Sequence, residues 1–164
     1  MLNEKIPITP SGYQKLTQEL HILKSVERPD IIRAIAEARA HGDLSENAEY
    51  SSARERQSFI EAKISDLESR MARAEVIKND SVKGDQVKFG ATVTLVAEDD
   101  GREVKYGIVG EYESDISSGL VSISSPLARA LLGKCVGDQV EVITPSAVKY
   151  YELKSICYDL LDDK

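Results

Sequence analysis

The sequence predicts an α+β chain of two domains, an N-terminal antiparallel α-helical coiled-coil hairpin followed by a C-terminal antiparallel sheet with one short helix. Three observations carry that prediction. Apolar residues recur in steps of three and four, the spacing of a heptad seam, first as Tyr13, Leu16, Leu20, Leu23, Ile31, Ile35 and Ala38, then as Tyr50, Ala53, Ile60, Ile64, Leu67, Met71 and Ala74. In antiparallel pairing partner numbers sum to a near-constant, and Leu16 with Ala74, Leu23 with Leu67, Ile31 with Ile60 and Ala38 with Ala53 all sum to about 90, which puts the fold axis near residue 45. Past residue 84 the period changes to the alternation of strands. The expected boundaries are a hairpin over 1–78 with an acidic tip at 42–47, a linker over 79–84 and a second domain over 85–164.

In chain order, residues 1–11 are a short lead in which Thr9-Pro10-Ser11-Gly12 supplies an N-cap candidate and a proline for the first helical turn. The first arm runs from Gly12 to Gly42 and contains one fault, Arg28-Pro29. Proline lacks the backbone donor and disfavours a helical residue before it, so a kink or break is expected at Glu27–Pro29, dividing the arm into two segments. Gly42 suits the left-handed position that ends a helix, and Asp43-Leu44-Ser45-Glu46 reads as a capping box opening the second arm, Ser45–Ile77. That arm has no Pro or Gly and is rich in Ala, Glu, Arg and Ile; Gln57 falls on its seam.

Asn79–Gly84 is a turn-rich linker. Strands are expected at Val87–Phe89, Ala91–Ala97, Glu103–Gly110, Leu120–Ser124, Val140–Thr144 and Tyr150–Tyr158. Between them Ser125–Gly133 has a cap, a proline in the first turn and a closing glycine, which is a short helix.

Composition excludes several function classes. No run approaches the roughly eighteen apolar residues needed to span a bilayer, and the first residues lack the pattern of a secretory leader, so a cytosolic protein with no membrane partner is expected. The net charge of −7 argues against gripping a nucleic acid backbone unaided. Glycine-rich dinucleotide and P-loop motifs and the serine-hydrolase elbow are absent, so no small-molecule substrate is expected. The 2 cysteines, Cys135 and Cys157, lie in no C-x-x-C or Cys/His cluster and read as buried small apolar residues. Of the 2 histidines, His21 sits beside the seam and His41 borders the tip as a helix C-terminal cation.

What remains is the tip, which admits two readings. Asp43 and Glu46 are either a capping box and nothing more, or a carboxylate pair carried at the end of a rod on the order of 45 Å long, at ~1.5 Å per residue. Magnesium keeps several waters and takes one or two protein carboxylates plus phosphate oxygens, so such a pair binds it only weakly unless a partner completes the site. A polymerase or nuclease centre, which already holds metal against a phosphodiester, is a partner of that kind. Arg39, Arg54 and Arg56 lie within a few turns of the carboxylates and are either ordinary surface cations or a phosphate-gripping patch.

The segments His41-Gly42-Asp43-Leu44-Ser45-Glu46-Asn47-Ala48-Glu49-Tyr50, Arg28–Arg39, Phe89-Gly90-Ala91-Thr92-Val93 and Ser125-Pro126-Leu127-Ala128-Arg129 closely resemble the Gre transcript cleavage factors of bacterial RNA polymerase, nearest to the GreA members of that family. The resemblance spans nearly the whole chain. It implies a coiled-coil hairpin that enters the polymerase secondary channel and a C-terminal domain of FKBP-like fold that docks on the channel rim. It further implies an accessory factor, not itself an enzyme, that stimulates the polymerase's own Mg2+-dependent cleavage of the 3' end of backtracked nascent RNA. By position, Asp43 and Glu46 are then the pair that shares Mg2+ with the polymerase, and Arg39 and Arg54 face the extruded RNA. Ser125, Pro126 and Arg129 meet the rim. Two rival readings are a channel-blocking inhibitor of the polymerase and an FKBP-like isomerase or chaperone. The isomerase reading needs an aromatic-lined pocket, for which no tryptophan and only 2 phenylalanines, Phe59 and Phe89, are available.

Overall fold

The structure, a computed structural model, describes residues 4–43, 47–78, 85–143 and 145–162. It divides into two compact units: Gln14–Arg73, and a second made of Met1–Tyr13 with Ala74–Lys164. The ends of the expected hairpin thus group with the sheet, and the expected linker at 79–84 lies outside the described residues. No helix among the described residues is long and apolar enough to cross a membrane.

The first arm is helical from Pro10 to Ala40 as α1 (Pro10–Ile22), a π-helical segment (Leu23–Glu27) and α2 (Arg28–Ala40). The kink or break expected at Glu27–Pro29 takes the form of this π segment, with helical residues on both sides. Ile22, Glu27 and Arg28 all keep right-handed helical dihedrals, and the Arg28 N–H donates to the Leu23 carbonyl. Widening the turn ahead of Pro29 gives the ring room against the preceding carbonyls while the chain stays helical. Pro29 then sits in the first turn of α2, where its missing donor costs least.

The second arm is α3 (Ala48–Arg73), 26 residues or about 39 Å of helix. Leu23, Ile35 and Ala38 of the first arm and Ala53, Ile60, Ile64 and Leu67 of the second are buried along the predicted seam. The arms are also laced by ion pairs: Arg28 grips Glu61 through two hydrogen bonds of 2.9 and 2.8 Å, Arg56 meets Glu27 at 3.0 Å, and Lys24–Glu68 and Lys63–Glu19 stand at 3.5 Å. These pairs are exposed and contribute little to stability individually, but their pattern specifies register.

In the second unit β1 (Ile6–Ile8) pairs in parallel with β2 (Ala74–Val76), a ribbon the sequence reading omitted. Ala74-Glu75-Val76 was expected to continue the helix. Pairing with Ile6–Ile8 overrides the helix propensity of Ala and Glu there, which is weak compared with a ladder. The main sheet comprises β3 (Thr92–Ala97), β4 (Glu103–Val109), β5 (Leu120–Ser122), β6 (Gln139–Ile143) and β7 (Val148–Cys157), in the order β5-β4-β3-β7-β6. All neighbours are antiparallel except β4 and β5, so the sheet is mixed where a fully antiparallel one was expected. The long connection 110–119 carries the chain back before β5 begins, which makes the parallel pairing possible.

Val87–Phe89, expected as a strand, forms none. Gln86 makes an isolated bridge to Cys135, and the Tyr158 hydroxyl ties the segment down by donating to the Gln86 carbonyl at 2.6 Å and accepting from the Lys88 N–H at 3.1 Å. Gly90 follows in the left-handed region at φ 86°, and a Cβ there would overlap the Leu161 side chain. The core is built from Val87, Ala91, Val93, Leu95, Ile108, Val121, Ala128, Leu131, Val140, Val142 and Leu153. Helix α4 (Pro126–Leu131) contributes Ala128 and Leu131 to it. Contrary to the expectation of burial, Cys135 is half-buried and Cys157, ending β7, is exposed.

Candidate functional site

At the tip, α2 ends at Ala40 and His41 caps it, donating its N–H to the Ala38 carbonyl at 3.2 Å. Gly42 follows at φ 109°, and its N–H reaches the Arg39 carbonyl at 3.4 Å. A residue with a Cβ would be strained there, so glycine is what lets the chain leave the helix at that point. Asp43 comes next and is exposed. Glu46, the other expected carboxylate, lies outside the described residues.

Of the capping box expected at Asp43-Leu44-Ser45-Glu46, all but Asp43 lies outside the described residues. Helix α3 begins at Ala48 and its cap is Asn47, whose Oδ1 accepts from the Tyr50 N–H at 3.1 Å. Asn ranks with Asp as an N-cap, and it also has a donor: Asn47 Nδ2 bonds the Ala38 carbonyl on the other arm at 2.8 Å. That second bond is unavailable to aspartate. Asn47 therefore both caps α3 and ties it to α2.

The basic residues divide by partner. Arg39 lies over the Tyr50 ring with its guanidinium carbon 5.9 Å from the centroid, joining the same two turns that Asn47 joins. Both Arg39 and Arg54 are exposed, and among the described residues Arg54 forms no ion pair. Arg56 is engaged with Glu27 and lies 5.8 Å from the Phe59 ring centroid, so it serves the hairpin itself. Of the histidines, His21 shares a 3.3 Å hydrogen bond with Ser25, and His41 is the C-cap already described. Among the described residues no group of three or more His, Cys, Asp or Glu could hold a metal ion. Any ion at Asp43 would have to draw most of its ligands from elsewhere.

In the sheet unit, Ser125 is the N-cap of α4, its Oγ accepting from the Ala128 N–H at 3.2 Å, and Pro126 occupies the first turn. With Ala128 and Leu131 turned into the core, Pro126 and Arg129 are left exposed on the opposite side. Sequence reasoning missed Glu113. Its carboxylate accepts from the Thr9 N–H at 3.2 Å, from the Thr9 hydroxyl and from the Gly110 N–H at 2.9 Å. Thr9 in turn caps α1 by accepting from the Gly12 N–H at 3.0 Å. The contact between Thr9 and Glu113 joins distant parts of the chain, so no local pattern could have revealed it.

Residues 6–76 match the family model described as transcription elongation factor, N-terminal, and residues 81–158 match transcription elongation factor, GreA/GreB, C-term. The transcription elongation factor GreA of Paracoccus denitrificans is 59% identical over 155 residues, covering 94% of this chain and 99% of that one. The GreA of Rickettsia typhi is 58% identical over 161 residues, covering 98% and 99%. Among solved structures, a prokaryotic transcription elongation factor GreA/GreB from Nitrosomonas europaea aligns over 94% of this chain and 100% of its own, at 23% identity and a TM-score of 0.43. On the two domain matches and these near-full-length relatives, the chain belongs to the GreA/GreB family of transcription elongation factors.

Proposed function

We propose that this protein is an accessory factor of bacterial RNA polymerase, acting in the cytoplasm, that enters the secondary channel hairpin first. There it stimulates the polymerase's own cleavage of the 3' end of backtracked nascent RNA, rescuing arrested complexes. The observation that carries this reading is the tip: an exposed Asp43 placed just past Gly42, at the end of two long helices that Asn47 ties together. A globular body could not deliver a carboxylate into a narrow channel, whereas a two-helix rod can.

On this reading the chain supplies charge and the polymerase supplies the active centre. Magnesium accepts one or two protein carboxylates and retains water and phosphate oxygens for the rest, which fits Asp43 together with Glu46 as a partial ligand set. Such an ion, when bound, activates water for in-line attack on phosphorus. Arg39 and Arg54 would steady the extruded RNA through its phosphates, with Arg39 held in place by Tyr50. Ser125 keeps the start of α4 formed, and Pro126 and Arg129 would meet the channel rim.

The test is RNA cleavage in a defined backtracked elongation complex with magnesium. Three samples are compared: polymerase alone, with the wild-type protein, and with the Asp43→Asn/Glu46→Gln double variant. Release of a short 3' fragment is expected with wild type only, while the variant still competes for the polymerase. Slowed elongation without release by either protein would replace this function with that of a channel blocker.

A further inference from the structure

The amide of Asn47 does more than a helix cap requires. Its Oδ1 takes the Tyr50 N–H at the start of α3, and its Nδ2 gives a hydrogen bond to Ala38 at the end of α2. The Ala38 carbonyl also accepts from His41, so both of its lone pairs are used and a carbonyl left over by the helix end is satisfied. The reverse amide orientation would set oxygen against oxygen and N–H against N–H, so the pattern of partners fixes it. Aspartate would cap α3 equally well, but it could not donate to Ala38 while doing so. Arg39 over Tyr50 makes a second tie between the same two turns. Asp43 stands in the chain between Ala38 and Asn47, the two residues that the first of these ties joins.

We propose that Asn47 is a positioning residue: by bridging Ala38 and Tyr50 it holds the end of α2 against the start of α3 and so presets the carboxylate of Asp43 for its work in the polymerase. The inference rests on the function proposed above. A carboxylate on a loose loop would visit the productive position only part of the time, and small misplacements cost much of a positioned group's effect.

The test uses the full-length protein with Asn47→Asp and, separately, Asn47→Ser. Each variant keeps an acceptor for the cap; aspartate has no donor for Ala38 and adds a charge favoured at a helix N-terminus, while serine's hydroxyl ends one bond closer to the backbone than the amide nitrogen does. Three quantities are measured: the thermal midpoint, 15N relaxation at Gly42 and Asp43 in the isolated protein, and cleavage rate against factor concentration. For Asn47→Asp we expect an unchanged midpoint, greater fast motion at Gly42 and Asp43, and a maximal cleavage rate lowered about tenfold at an unchanged half-saturating concentration. Wild-type relaxation, or a wild-type maximal rate, in both variants would overturn the assignment. So would a fall in rate that merely tracks a fall in thermal midpoint, since that is the behaviour of a structural cap. The wild-type control separates the two proposals: if it stimulates cleavage while the variants match it, positioning alone fails. If it does not stimulate, the function fails and the positional role falls with it.

Discussion

Glu113 shows how one side chain can reverse the sign of a routine substitution. Gly12 lies in the first turn of α1, where alanine would ordinarily gain ~1 kcal/mol of helix propensity. A Cβ at Gly12 would, however, overlap the Glu113 carboxylate, which is held by Thr9 and Gly110 and cannot swing away without abandoning them. Hydrogen bonds to a charged group are worth ~1.5–3 kcal/mol each, so their loss outweighs the propensity gain. Gly12→Ala is expected to destabilise the sheet unit by about 1–3 kcal/mol in denaturant unfolding. In a Glu113→Ala background the same change is expected to be neutral or stabilising, because nothing remains to be displaced; additive effects would refute the contact. Tyr158 makes a second residue-scale case. Partial burial pushes its phenol up from the usual value, and its O–H is donated to the Gln86 carbonyl. A folded-state pKa raised above the unfolded one means that stability is fully present below the unfolded value of about 10 and is lost as pH rises through the folded one. Tyr158→Phe is therefore expected to cost about 1–2 kcal/mol at neutral pH, from the two lost hydrogen bonds, and to flatten the alkaline decline above pH ~10.

Within the hairpin, energy is concentrated in one stripe of each helix, and adjacent residues have opposite fates. Ile60 is 2% exposed and Phe59 is 61% exposed. Ile60→Ala removes buried methylenes and leaves a cavity, an expected loss of about 2–5 kcal/mol, whereas Phe59→Ser should stay within about 0.5 kcal/mol; loss of helical signal on heating reads both. This stripe was legible in advance because the heptad period is a property of the sequence itself: Leu23, Ile35, Ile60, Ile64 and Leu67 all fall where it puts them. The fault at Arg28-Pro29 was legible as a position but not as an outcome, since a widened turn and a break satisfy the missing donor equally well on paper. The cap at Asn47 is a different case. Asn is as good a cap residue as Asp, but the tie from Asn47 to Ala38 on the opposite arm is one that no local pattern reveals. The same holds for β1 and β2, each three residues long and paired across most of the N-terminal half of the chain, and for the parallel placement of β5. Local pattern gives elements; long-range pairing chooses among near-equal options.

Across the whole molecule, the proposed function divides labour between two compact units, Gln14–Arg73 carrying the tip and the remainder carrying α4. Among the described residues the two sets share no partner: Asn47 and Arg39 contact Ala38 and Tyr50 within the hairpin, while Ser125 and the buried Ala128 and Leu131 belong to the sheet unit. Independent sites contribute additively in free energy, hence multiplicatively in rate and affinity. Removing an interaction made before the chemical step should raise the half-saturating concentration and leave the maximal rate intact, while removing one used only in that step should do the opposite. Arg129→Ala, on the exposed side of α4, is accordingly expected to raise the concentration of factor needed for half-maximal cleavage about tenfold, a change of about 1.4 kcal/mol, at an unaltered maximal rate. Asp43→Asn is expected to abolish the rate at an unaltered half-saturating concentration in competition assays. Because Arg54 is proposed to hold RNA and not to dock, Arg54→Ala should lower the maximal rate modestly without moving that concentration. Combining Arg129→Ala with Arg54→Ala should give the product of the two separate effects. A combined loss well beyond the product would mean that the two units engage the polymerase as one coupled surface, and the division between delivering and docking would have to be abandoned.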